Sequence, residues 1–137
     1  MKTLATPPDV IDLVINYLTP ILITRGEDVT VGDELPATWT TASKPHILVA
    51  HDGAPNATYP IVAAASVRIT AFCATASRRR AFHLSTLCQG ILLAHSGGGG
   101  ISSIQFLSGA LPAKDPDTGA AMSFVAVRVN LRFNVLA

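Results

Sequence analysis

Residues 61–95 read IVAAASVRITAFCATASRRRAFHLSTLCQGILLAH, and this segment contains both periodicities on which a layered α+β domain is built. From Ile61 to Thr75 apolar side chains return every second residue. Ile61, Ala63, Ala65, Val67, Ile69, Ala71 and Cys73 fall on one side, and Ser66, Arg68 and Thr70 on the other. That alternation predicts a half-buried strand. The period then changes. Beyond Ser77, a capping residue type, Phe82, Leu84, Leu87, Cys88, Ile91 and Leu92 recur at helical spacing, predicting a helix to about His95 with a broad apolar stripe. The Gly97–Gly100 run predicts its end.

Toward the C-terminus, Ile101–Leu111 is a strand candidate and Lys114-Asp115-Pro116-Asp117-Thr118-Gly119 a strong turn. The last strand alternates clearly: Val125, Val127, Val129, Leu131, Phe133 and Val135 face one way, Arg128, Asn130, Arg132 and Asn134 the other. Toward the N-terminus, Thr6-Pro7-Pro8-Asp9 reads as a helix start, with Thr6 as cap and Asp9 and Asp12 at the positive end of the dipole. Apolar residues from Val10 to Leu22 recur every three or four positions. Pro20 should bend or end this helix, and Gly26 should stop it if it continues. Val29–Gly32 reads as a short strand, Pro36–Pro45 as a loop holding Trp39, and His46–Ala50 as another strand. A turn at Asp52-Gly53 and a loop over Gly53–Pro60 complete the pass. The expected fold class is α+β: a mostly antiparallel sheet with two α-helices packed on one face, in a single domain covering 1–137.

Composition narrows what such a domain does. Only 14% of residues are charged and 49% are hydrophobic, against roughly 25% charged in ordinary soluble domains. A chain of 137 residues exposes much surface for its volume, so sparse charge points to surface hidden against other chains, most simply copies of itself. A membrane origin does not fit, because Asp12, Asn16 and Pro20 interrupt Val10–Ile23, and no basic segment precedes it as in a signal peptide. Net charge of +1 argues against a dedicated nucleic-acid grip. Its distribution is uneven: residues 1–60 carry three basic and seven acidic groups, residues 61–137 seven basic and two acidic. Complementary halves suit either internal pairing or head-to-tail docking.

Residues with catalytic or metal-binding chemistry do not cluster in the sequence. His46 and His51 point to opposite faces of one extended segment. Cys88 and His95 share a helical face, but two ligands fall short of what zinc needs. Cys73 and Cys88 read as small buried hydrophobes in a reducing compartment rather than as a disulfide framework. Gly97–Gly100 follows a helix and lacks the Lys-Ser/Thr of a phosphate loop. No metal, cofactor or catalytic residue is expected, and the chain is read as non-enzymatic. A small hotdog-type hydrolase, which also packs a long helix on a sheet, would have to draw on His51, Asp52 and His83, and their spacing gives them no common site.

One feature breaks a local rule. Arg78, Arg79 and Arg80 occupy a first helical turn, where the dipole disfavours cations by about 0.3–1 kcal/mol each. Glu27, Asp28, Asp33 and Glu34 form the one acidic cluster, and the expectation is that this cluster on one subunit meets the arginines of the next.

Taken in order, Thr6-Pro7-Pro8-Asp9-Val10 opening an apolar helix, Val29-Thr30-Val31-Gly32 through Pro36, Val67-Arg68-Ile69-Thr70-Ala71-Phe72 leading into a helix that ends Leu92-Leu93-Ala94-His95, and the strand Val125–Val135 resemble the tail terminator proteins of actinobacterial siphoviruses. The resemblance spans nearly the whole chain and rests on order and local character. Pro20 and the long glycine run depart from it. It implies a six-membered ring that caps the tail tube of a bacteriophage, ends its polymerisation and joins it to the head connector. The partners it implies are further copies of the chain, the major tail tube protein, the connector or stopper protein, and double-stranded DNA passing through the channel unbound; its place is the head–tail junction of the virion after assembly in the host cytoplasm. Arg68, Arg128, Asn130 and Arg132 would then line a channel or pack on a neighbour. A head–tail adaptor or stopper would share the same ring logic.

Overall fold

The computed structural model describes residues 5–6, 8–52, 56–58, 62–132 and 134–135, with side chains described for 8–52 and 64–132. Its backbone runs β1 (Ala5–Thr6), α1 (Val10–Thr24), β2 (Thr30–Gly32), β3 (His46–His51), β4 (Asn56–Thr58), β5 (Val62–Cys73), α2 (Arg78–Leu93), β6 (Ile101–Lys114), β7 (Ala121–Arg132) and β8 (Asn134–Val135). The main sheet has the order β2-β3-β5-β7-β6, with β4 also on β5, and the short β1 and β8 pair separately. Among the described strands β2 and β3 pair parallel and the other pairs are antiparallel. This is the expected α+β architecture.

The period-two pattern of β5 fixes the layering. Ala65, Val67, Ile69, Ala71 and Cys73 are buried in one core with Val125, Val127, Val129 and Leu131 of β7, and with Val10, Val14, Leu18 and Leu22 of α1 and Leu84, Cys88 and Leu92 of α2. Both helices therefore cover one face of the sheet. Fully burying a Leu, Ile or Val contributes about 1.5–3 kcal/mol, so this shared cluster dominates the stability of the layers. Polar groups are admitted where they find partners. Ser85 of α2 and Ser123 of β7 bond each other at 2.8 Å, and Gln89 Nε2 donates to the carbonyls of Ser108 and Ala126 at 2.8 and 3.1 Å. Those carbonyls lie where the β6–β7 register is interrupted, so Gln89 ties the irregular hairpin to the helix above it.

Several expectations are corrected. The cap of α1 is Asp9, whose carboxylate accepts from the N–H groups of Ile11 and Asp12; Thr6 lies in β1 instead. A carboxylate at that end is favoured by hydrogen bonding and by the dipole together. Pro20 does not end the helix. The proline frees only the carbonyl of Asn16, and both residues are solvent-exposed, so no buried acceptor is orphaned. The helix closes at Gly26, φ +78°, where Gly26 N–H donates to Ile23 and Glu27 N–H to Leu22: a Schellman arrangement that a side chain would strain. The loop expected over Gly53–Pro60 contains β4, and the part of that loop beyond Asn56–Thr58 lies outside the described residues, as do Ile61 and Phe133. Ser77 precedes α2 but makes no side-chain cap bond. The glycines from Gly97 to Gly100 all have positive φ, and the His95 ring, edge-on to Tyr17, accepts from Gly97 N–H at 2.8 Å to set the turn into β6.

Candidate assembly interface

β2 and β6 are the end strands of the main sheet, and among the described residues no helix packs on the face turned away from α1 and α2. That face is divided. At one end Trp39 swings over Phe72 and Ala120, ring centroids 6.0 Å apart from Phe72, with its indole N–H donating to the Lys44 carbonyl at 2.8 Å. At the other end stand Arg68, Arg128, Asn130 and Arg132. Their register partners across β5 and β7, Arg68↔Ala126, Ser66↔Arg128, Ala64↔Asn130 and Val62↔Arg132, set all four on the same face, away from the helices. Arg68 bonds the Asp52 carboxylate and stacks over the Phe124 ring, and Asn130 donates to Ser103 at 2.9 Å.

The β6 edge differs in character. It is the outermost strand and is 14 residues long. Among the described residues six large hydrophobic side chains are exposed: Ile23, Phe82, Leu93, Phe106, Leu107 and Leu111. Five of these gather at this edge. Phe106, Leu107 and Leu111 belong to β6. Phe82, Gln89 and Leu93 are spaced by seven and four on α2, hence on one side of it, and the bond from Gln89 to Ser108 shows that this side faces β6. Phe106 pairs with Val127, a core residue, so it projects on the helix side of the sheet, toward the same flank. Phe82, expected in the buried stripe of α2, is 55% exposed because the sheet beneath it ends at β6. Exposed apolar side chains gathered at a sheet edge form the kind of surface on which another chain can dock. Continuous strand pairing with an identical β6 is discouraged by three register irregularities and by Pro112, which leave the edge bent and short of one donor.

Charges sort by position. The expected contact between the arginines and the acidic cluster forms inside one chain for Arg80: its guanidinium lies 2.8 Å from Glu27, with His83 at 3.6 Å from the same carboxylate. The Schellman turn delivers Glu27 to that place, so this pair is satisfied without a neighbour and is corrected as an intersubunit contact. Asp28 likewise pairs with Lys44 at 2.9 Å. Asp33 and Glu34 remain exposed beside the β2 edge, and Arg78 and Arg79 remain exposed at the start of α2. Arg78 and Lys114 line a shallow groove of about 310 Å³ with Thr75, Pro112, Ala113 and Ala121, at the turn end of the β6 edge.

Groups with titration or nucleophilic chemistry are placed apart. His83 stands in the helix layer, whereas Asp52 bonds Arg68 on the opposite face, so the His51, Asp52 and His83 set does not converge. Burial holds the His46 pKa below its ordinary value, only partly offset by the Glu34 backbone carbonyl; its Nδ1 meets Thr30 Oγ1 at 2.6 Å, while Nε2 makes no hydrogen bond of ordinary geometry. Burial pushes the Cys88 thiol up to about 12, helped by Glu27, and raises Cys73 against the pull of Arg80. These cysteines are buried and free. Among the described residues no group of three or more His, Cys, Asp or Glu is arranged to hold a metal ion. Among the described residues no helix is long and apolar enough to cross a membrane. Comparison with protein-family models and with curated protein sequences finds no match.

Proposed function

We propose that this chain is a structural, non-enzymatic subunit that closes into a homo-oligomeric ring and serves as the tail terminator at the head–tail junction of a long-tailed bacteriophage. The observation that carries the self-assembly is the apolar β6 edge: among the described residues, five of the six exposed large hydrophobic side chains belong to β6 or to the side of α2 that faces it, Phe106 on the helix side of the sheet and Leu111 on the other. Burying that edge removes apolar area from water at about 25 cal/mol per Å². The two ends of the strand order are unlike, a short parallel β2 and a long apolar β6, so a contact between them is heterologous, and a heterologous contact whose rotation closes makes a ring. The assignment to a phage tail draws on the order of sequence features quoted above. Within it, the arginine-bearing sheet face, partly neutralised by Asp52, suits a channel wall through which DNA slides without strong phosphate binding. The test is functional: the purified chain, added to polymerising tail tube protein, stops tube growth and is seen as a ring with a central opening at one tube end in negative-stain micrographs. Tubes that grow unchanged and bare contradict the proposal.

A further inference from the structure

Resting on the reading that copies of the chain associate head to tail, we propose that the exposed Asp33-Glu34 turn at the β2 edge of one copy seats against Arg78 and Lys114 beside the β6 edge of the next. Four observations converge on this contact. An exposed acidic pair and an exposed cation lie toward opposite ends of the strand order, because Asp33 and Glu34 follow directly on β2 while Lys114 ends β6. Of the neighbouring acids, Glu27 is engaged with Arg80, Asp28 with Lys44, and Asp115 with the Thr118 hydroxyl and the Asp117 N–H, which leaves a single exposed carboxylate, Asp117, in the turn after Lys114. Arg78 and Lys114 are brought to one groove of about 310 Å³, with Pro112, Ala113 and Ala121 giving it an apolar floor. No acidic residue stands in the first turn of α2, so Arg78 there opposes the dipole with nothing in its own helix to offset it.

The contact accounts for cations in the first turn of α2. An acidic turn arriving from a neighbour neutralises the cations that the helix start disfavours, and it does so where the adjoining Phe82 and Phe106 are covered by the same neighbour. The polarity of the two patches also bears on direction. Two β6 edges brought together would offer Arg78 and Lys114 only the exposed Asp117 of the adjoining turn, whereas β2 against β6 adds the Asp33-Glu34 pair, which favours the heterologous, ring-forming direction over a two-fold dimer.

A charge-swap experiment on the full chain tests this. Arg78→Glu with Lys114→Glu makes one patch acidic, and Asp33→Lys with Glu34→Lys makes the other basic. All four side chains are exposed, so both variants keep the far-ultraviolet circular dichroism of the parent. In sedimentation velocity each variant alone associates more weakly than the parent, with a dissociation constant raised on the order of tenfold or more by like charges facing each other. An equimolar mixture recovers the parent's assembly, since each altered patch meets its complement when the two variants alternate around an even-numbered ring. If either variant alone assembles as the parent does, or if both are impaired and the mixture stays impaired, these patches do not meet and the inference is overturned while self-assembly stands. A parent chain that never associates overturns the proposed function and this contact together.

Discussion

Replacing Phe106, Leu107 and Leu111 together by threonine strips the apolar edge while leaving β6 a residue type that favours strands. The three side chains are 59, 48 and 51% exposed in the isolated chain, so roughly half of each is still available to be covered by a neighbour. Full burial of a Phe or Leu is worth about 1.5–3 kcal/mol, which puts the three half-burials at about 2–4.5 kcal/mol per contact. At 1.4 kcal/mol per factor of ten, each subunit contact weakens roughly 40- to 2000-fold, less whatever the threonine methyls retain. The folded chain itself should barely change, within about 0.5 kcal/mol, because none of the three side chains belongs to the core. Mass photometry across a dilution series reads the association, and thermal unfolding at a concentration where the parent is monomeric reads the fold. A variant that assembles at the parent's concentration refutes the role assigned to this edge, and a variant that loses association only by unfolding refutes the claim that these side chains are surplus to the monomer.

Gln89→Leu should destabilise the folded chain by about 1–3 kcal/mol in urea unfolding, because the carbonyls of Ser108 and Ala126 lose a buried donor that leucine does not replace. A cost near zero would show that the β6 irregularity is held by something else. His46 titrates below 6.5 in the folded chain, so its contribution is intact above that pH and is lost as pH falls from 6.5 through the lowered folded value. The unfolding free energy should therefore drop between pH 7.5 and 5, and His46→Gln should remove part of that drop; an identical pH slope in the variant would exclude His46 as its source. Cys88, raised from 9.0 to about 12, has the opposite sign: its contribution is full below pH 9 and is lost as pH rises toward 12. Native protein at pH 8 should resist iodoacetamide at Cys73 and Cys88 while denatured protein is alkylated at both, and rapid native labelling would show that these sites open.

Much of this architecture was legible because β5 and β7 each bury one face. Val67, Ile69, Val125 and Val127 cannot be displaced by one position without moving the core to water, so alternation and register coincide. The uneven charges of Arg80 and Glu27 were legible as a mismatch but not as an internal pair, since their meeting depends on the Schellman turn 53 positions away in the chain. Phe82 looked like core because helical spacing reports a stripe and not where the underlying sheet stops. The same blindness hides the apolar edge: Phe106 and Leu111 have the composition of a buried strand, and only the strand order shows that β6 is the last strand among the described residues. β4 escaped because Asn56-Ala57-Thr58 has turn chemistry and is held by its pairing with β5. Trp39 stands in a loop whose sequence gives it no destination; its cover over Phe72 is a long-range packing event that no local period signals.

Self-association is the premise beneath the ring, the tube cap and the charged contact alike. Sedimentation equilibrium of the purified full chain, run from the nanomolar to the high micromolar range, decides it. The ring reading predicts a concentration-dependent rise from a 14.3 kDa species to one closed assembly of six chains, with nothing larger beyond it. A single 14.3 kDa species at every concentration would contradict it.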